Sequence, residues 1–236
     1  MKRLLSVITA VTVSTAAAVV VSAAPAFAAI RCDTTMTGNI PGNVIVPSGA
    51  TCILEEANVA GNVNVRQGGT LEVLGSQLTR SNITANAPAG LYIDRSFIGA
   101  NVTINRLMTS EEQSFPNGIC GTTIGANLTF SNSNPETTFT IGTNQTDGEQ
   151  PAFEGQGGCS APNTIHGSVT LTTNQGEIAL LGNHVGGNVT ASKNTGGGEI
   201  SGNTIKGSLT CANNSPPLFA SNNSVTGNDS CGNFNP

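Results

Sequence analysis

Tryptophan is missing from the 236 residues, tyrosine occurs once, and only 10% of the residues carry a charge. A core built on large aromatic rings is excluded. Histidine is limited to His166 and His184, and no two cysteines stand in a C-x-x-C pair, so the usual spacing of a zinc site is absent. Beyond the N-terminus no apolar run approaches the ~20 residues of a membrane span. Basic residues are few and scattered, which removes nucleic acid as a partner, because phosphate binding needs clustered lysine and arginine. What remains is a chain dominated by Gly, Asn, Thr and Ser. Such a mixture alone suits disorder, but here the apolar residues return at fixed intervals.

The N-terminus reads as a signal peptide over 1–28. Lys2 and Arg3 precede an apolar stretch from Leu4 to Val21, and Ala26-Phe27-Ala28 supplies the small-x-small cleavage pattern. A retained membrane anchor is the competing reading; the cleavage pattern directly after the apolar run decides against it. The mature chain, 29–236, then has seven basic and fourteen acidic residues, a net charge of −7. It is expected to be secreted, to leave the membrane and to be monomeric.

The C-terminal half repeats every 20 residues. Asn163-Thr-Ile165-His-Gly167-Ser-Val169-Thr170 is followed by matching segments at Asn183, Asn203 and, in degenerate form, Asn223. In the N-terminal half Gly42-Asn43-Val44, Gly61-Asn62-Val63, Ser81-Asn82-Ile83 and Ala100-Asn101-Val102 recur at 19 to 20 residues, and Ala126-Asn127-Leu128-Thr129 adds another copy. A fixed period of this size marks a repeat architecture. Around each valine the pattern alternates at period 2, as in Val63-x-Val65, Val102-x-Ile104 and Val169-x-Leu171, which is a strand with one buried face. Gly and Asn between the strands suit corners of positive φ. The leucine-rich repeat shares the period, but its dense leucine pattern and helical return are missing. The expected fold is all-β: a single right-handed parallel β-helix, a solenoid of about eight coils with two loop insertions, roughly 106–122 and 143–161.

These Gly-Asn-Val-Thr coils resemble the right-handed β-helix of the pectin-lyase-like superfold over roughly residues 38–230. They look particularly like small exported proteins of high-GC Gram-positive, actinobacterial type. They are also similar to polymerising bactofilin-type helices, which are however cytoplasmic or membrane-associated and poor in cysteine. The superfold hosts lyases, hydrolases, adhesins and inert scaffolds. Its lyases would imply an Asp cluster that holds calcium beside a basic residue, and its polygalacturonases a group of aspartates with His and Arg or Lys. Only Asp33, Asp94, Asp147 and Asp229 exist here, none adjacent to another. Those functional residues have no positions to map onto, and no cofactor or metal is expected.

Six cysteines in an exported chain read as three disulfides, one set among fifteen pairings. Cys52 aligns with the inward Leu71 and Leu91, and Cys32 lies one coil earlier. Cys211 aligns with Leu171 and Ala191, and Cys231 lies one coil later. Neighbouring coils stack ~4.8 Å apart, within the ~4.4–6.8 Å that a disulfide spans between Cα atoms. The expected bonds are Cys32–Cys52, Cys211–Cys231 and, by remainder, Cys120–Cys159, which would tie the two insertions into one lobe.

Chemistry is sparse. Glu177 and Glu199 are offset by one coil and two residues, roughly 8 Å apart, inside the ~6.5–9.5 Å of an inverting glycosidase pair; nothing nearby in the sequence would raise one pKa, and two solvated outward carboxylates are the preferred reading. His166 and His184 sit outward, and no Gly-x-Ser-x-Gly elbow accompanies them. Thr84, Thr103, Thr129, Thr170, Thr190 and Thr210 form an outward rank resembling an ice-binding face, or simply a hydroxyl ladder. Asn43, Asn62, Asn82, Asn101, Asn127 and Asn188 form a second rank at the turns. The functional expectation is a non-catalytic extracellular protein that binds glycan or a cell-surface protein; the alternatives are a polysaccharide lyase or hydrolase and an ice-binding protein. The insertions carry Glu111, Glu112, Phe115, Asp147, Glu149, Phe153 and Glu154. Loops that project from a solenoid commonly bind, so these residues are the expected binding lobe.

Overall fold

The computed structural model describes residues 29–108, 117–143, 159 and 161–231. The segment read as a signal peptide lies outside the described residues.

Each full coil lays down three short parallel strands, here called faces A, B and C in chain order. The coil beginning at Val169 shows the plan: Val169–Thr172 on face A, Ile178–Leu181 on face B and His184–Val185 on face C. Stacking repeats this into a β-solenoid of about eight turns with no helix among the described residues, which removes the leucine-rich alternative. Face A strands form one nine-stranded parallel sheet. Faces B and C are joined into a sixteen-stranded sheet because one strand, Thr51–Val59, runs through the corner between them. It pairs with Thr70–Leu74 on one side of the bend and with Gln77 on the other.

The register follows the alternation in the sequence. Val46, Val65, Ala85, Ile104, Phe130, Leu171, Ala191 and Cys211 stack along the inside of face A. The rank is widest in the middle, where Phe130 stacks on Phe139 of face B with ring centroids 4.3 Å apart. Isoleucine, leucine and valine fill nearly all remaining inward positions at or near zero exposure. No coil could bury these side chains alone; each supplies the floor for the next.

The corners bear out the expectation in part. Positive φ is found at Gly and Asn, as at Gly49, Gly68, Asn132 and Asn213 on the A–B connections, but there it is also adopted by Ala87, Arg106, Thr173 and Lys193. A left-handed conformation costs a non-glycine residue about 1–2 kcal/mol. Here it is offset by hydrogen bonds to the neighbouring coil: the N–H of Thr173 donates to Ser192 and that of Lys193 to Ala212. The B–C corner uses Glu56, Gly75, Arg95, Gly121, Gly142, Gly182, Gly202 and Asn222 in the same way. Gly142 is the one that cannot be replaced freely. Its φ is 109°, and a Cβ there would meet the carbonyl oxygen of Leu181 and lie 2.7 Å from the Asn183 amide.

After the left-handed residue the chain turns the next side chain inward: Ala57 and Leu107 at two of the corners, and a polar residue at most of the others. At the B–C corner Ser76, Ser96, Thr122, Asn163, Asn183 and Asn203 are buried. At the A–B corner Ser133, Asn174 and Asn194 are buried, with Asn214 following at the open end. A buried amide is costly unless satisfied, and these are. Asn183 Oδ1 accepts from the backbone N–H and the Nδ2 of Asn163 at 3.1 and 3.0 Å, and its own Nδ2 donates to the Ile141 carbonyl and to Asn203 Oδ1 at 2.9 and 3.1 Å. The same four-bond pattern joins Asn174 to Asn194 and Asn214. In the N-terminal coils serine and threonine hydroxyls continue the chain: the N–H of Ala57 donates to Ser76, that of Ser76 to Ser96, and that of Ser96 to Thr122. Two polar ladders thus run through the solenoid beside its apolar core.

Three disulfides close in the expected pairing, with Cα–Cα separations of 5.3 Å for Cys32–Cys52, 5.1 Å for Cys120–Cys159 and 4.7 Å for Cys211–Cys231. The outer two staple the first and last coils to their neighbours. The middle one corrects an expectation. Cys120 is not part of an insertion: it ends the face B strand Gly118–Cys120, in register with Asp94. The residues of the first insertion follow the A–B corner at Leu107 and Met108, where Leu107 is buried in line with the coil and the Met108 N–H donates to Pro88, and those of the second follow the B–C corner at Gly142 and Thr143, whose N–H donates to Leu181. Cys120–Cys159 therefore fastens the return of the second insertion to the B–C corner of the preceding coil; it does not bridge the two insertions.

Candidate functional site

The outer surface of face A is built from three ranks of side chains, spaced two residues along the strand and one coil along the axis. The central rank is the expected threonine row. Thr84, Thr103, Thr129, Thr170, Thr190 and Thr210 stand opposite one another in register, preceded by Ile45 and Asn64. On one side lie Asn62, Asn82, Asn101, Asn127, Ser168, Asn188 and Ser208, and on the other Asn86, Asn105, Ser131, Thr172 and Ser192. No residue in these ranks carries a charge. Face B differs: Glu55, Glu72, Asp94 and Glu199 all point outward from it.

The flanking ranks are tied up in hydrogen bonds. Asn43 Oδ1 accepts from the Asn62 N–H at 2.8 Å, Asn62 from Asn82 at 2.9 Å, and Asn82 from Asn101 at 3.1 Å. The series continues through Asn127, Ser168 and Asn188 to Ser208. This is the turn rank recognised in the sequence, and it runs opposite to the buried ladders: here each coil donates backward. On the other side Asn105 donates to Asn86, Ser131 to Asn105, and Thr172 bonds Ser192. The six central threonines have no such partner. Their hydroxyls make no hydrogen bond among the described residues, although each can donate once and accept twice.

A shallow groove of about 540 Å³ follows the asparagine and threonine ranks, from Asn62 and Asn64 to Ser168 and Thr170. It crosses five successive coils, about 19 Å along the solenoid axis at ~4.8 Å per coil. The walls supply amides and hydroxyls and no titratable group, so the groove can bind by hydrogen bonding but holds nothing that can transfer a proton.

The other sequence candidates are dispersed. Glu111, Glu112, Phe115, Asp147, Glu149, Phe153 and Glu154 lie outside the described residues. Glu177 precedes its face B strand, is exposed and accepts a 2.6 Å hydrogen bond from Thr138. Glu199 pairs with Ala179, which keeps it two residues out of line with Glu177, as the spacing implied. His166 and His184 are both exposed at the surface. Among the described residues no three His, Cys, Asp or Glu side chains gather as a metal site would require.

One carboxyl was missed. Glu72 points out from face B beside Tyr92 in the next coil, yet it is only 8% exposed and has no hydrogen-bond or ionic partner among the described residues. Burial pushes its pKa up. Tyr92 is also raised, chiefly by burial and then by the negative charge of Asp94, with Arg95 acting the other way. Asp94 is ion-paired to Arg95 at 2.8 Å. The sequence signal for Glu72 was its flanking by apolar residues on both sides, in Thr70-Leu71-Glu72-Val73-Leu74.

Comparison of the chain with family models, with curated proteins and with solved structures finds no match to any of them.

Proposed function

We propose that the chain is a secreted, non-catalytic β-helix protein that associates with an extracellular surface or matrix by binding glycan or protein. The observation that carries this reading is the outer surface of face A. It is broad and uncharged, and its central row of hydroxyls has no partner among the described residues. Many weak hydrogen bonds spread over several coils suit adhesion, and no nucleophile or acid stands among them. Secretion is supported by the signal-peptide pattern over 1–28 and by three disulfides, which persist in oxidising compartments. The resemblance to the pectin-lyase-like superfold and to actinobacterial exported proteins rests on the Gly-Asn-Val-Thr coil motif, and the right-handed turn belongs to that resemblance. The monomeric state is supported by the last coil, where Asp229 bridges to Leu209 at a place earlier coils fill with Val189 or Val169. A charge on the terminal strand edge discourages a further strand.

The mature protein is to be incubated with polyuronides and cell-wall glycans while both retention and new reducing or unsaturated ends are measured. Retention without new ends is the expected result; release of ends would move the chain to the enzymes. One observation favours that second reading. Glu72, with its raised pKa, sits one coil and two residues from Asp94, roughly 8 Å away, within the ~6.5–9.5 Å of inverting glycosidases. In that reading Glu72 is the acid and Asp94 the base, and Glu72→Gln abolishes the release of ends.

A further inference from the structure

We infer that the ligand of face A is an uncharged polysaccharide, bound as an extended chain lying parallel to the solenoid axis in the groove between the asparagine and threonine ranks. The inference rests on the binding function proposed above and adds the chemistry and orientation of the ligand.

Four features lead to it. The first is charge: the mature chain has a net charge of −7, yet none of that charge stands on the three ranks of face A, while face B carries outward Glu55, Glu72, Asp94 and Glu199. An acidic ligand would find no cation in the groove and a basic one no anion, so the surface complements a neutral molecule. The second is hydrogen-bonding capacity. In the groove Asn64, Thr84, Thr103, Thr129 and Thr170 have no side-chain partner among the described residues, whereas the flanking asparagines and serine are held by their neighbours. The floor of the groove therefore offers one free donor and acceptor per coil against fixed walls, and a ligand rich in hydroxyls matches it. The third is shape: the groove is long and shallow and crosses five coils, which fits an extended chain better than a compact ligand or a plane of ice. The fourth is the absence of any aromatic ring on its walls. A single sugar is normally gripped by stacking on a ring; without one, each contact is weak and affinity must come from repetition. An extended β-linked chain advances by close to one coil spacing per sugar, so the five coils hold about five sugars.

The test uses the mature protein and two kinds of probe: soluble β-1,4-linked glucose oligomers of increasing length, and insoluble cellulose and chitin. The variant is Thr129→Glu, at the centre of the groove, where the side chain has no partner to lose. Thr204→Glu, outward on face C, is the control. Circular dichroism and thermal melting confirm that both fold. The expected result is retention on at least one insoluble polymer, with oligomer affinity rising at least tenfold between two and five sugars and then levelling. Thr129→Glu should lose at least tenfold and Thr204→Glu nothing. Affinity that does not depend on length, or retention that survives Thr129→Glu, overturns the inference. If polyuronides or envelope material are retained equally by the parent and Thr129→Glu, the binding function stands and this site falls. If nothing is retained from any glycan or envelope, both fall together. Ice shaping that Thr129→Glu abolishes, without glycan retention, assigns the face to ice and overturns the inference equally.

Discussion

The two kinds of asparagine ladder invite a direct comparison, because Asn183 and Asn188 flank the same face C strand, His184–Val185, and each links neighbouring coils. Asn183 is wholly buried. Replacing it with alanine removes the only partner of the Asn163 backbone N–H and one partner each from Asn163 Nδ2, the Ile141 carbonyl and Asn203 Oδ1. An orphaned buried donor costs about 1–3 kcal/mol, and each of the other three bonds about 0.5–1.5 kcal/mol. The expected loss is about 2.5–7.5 kcal/mol, a large share of the roughly 5–15 kcal/mol that holds a domain folded. Asn188 is exposed, and its oxygen accepts a single bond from the Ser208 N–H. Water replaces it, so Asn188→Ala should cost less than about 1 kcal/mol. Urea unfolding of the two variants with disulfides intact measures the difference. Hydrogen exchange of the Asn163 and Asn183 amides localises it, since a solenoid can lose coils separately. Losses within about 1 kcal/mol of each other would refute the claim that the buried ladder bears on stability through desolvated donors.

Glu72 has its pKa raised by burial, so between the unfolded and the folded value the native state binds more protons and stability falls as pH rises. Glu72→Gln should therefore raise the melting temperature at pH 7, and the gain should fade as pH falls toward the ordinary carboxylate range; a gain that persists at low pH would contradict this. Replacing Cys211 and Cys231 with serine opens a loop of 20 residues and should cost about 3 kcal/mol, with the last coil losing exchange protection first; uniform loss over all coils would show that the staple is not local. Gly121→Ala, whose nearest contacts would be 3.4 Å, should cost about 1–2 kcal/mol for its positive φ alone, whereas Gly142→Ala adds an overlap with the Leu181 carbonyl worth about 1–3 kcal/mol more; equal melting temperatures would argue against that close approach.

Much of this architecture is legible in the sequence by itself. The 20-residue period, the inward valines and leucines of face A, the threonine rank and the end staples all follow from translation by one coil. Stacked residues occupy equivalent positions, so Cys52 over Leu71 and Asp229 beyond Leu209 could be placed by counting. The corners could not. Along Val169-Thr170-Leu171-Thr172 the side chains alternate in and out, but Thr173 turns left-handed and Asn174 then points inward, where simple alternation would have sent it out. Gly182 does the same ahead of Asn183. Each corner resets the parity, and a period shared by Asn183 and Asn188 does not say which of them is buried. The extra residues before Gly118 hid the place of Cys120, which the broken period assigned to an insertion and which the tertiary structure sets at the end of a regular strand. The raised pKa of Glu72 is likewise a tertiary property, because an outward position on a strand becomes desolvated only when folding packs its surroundings against it.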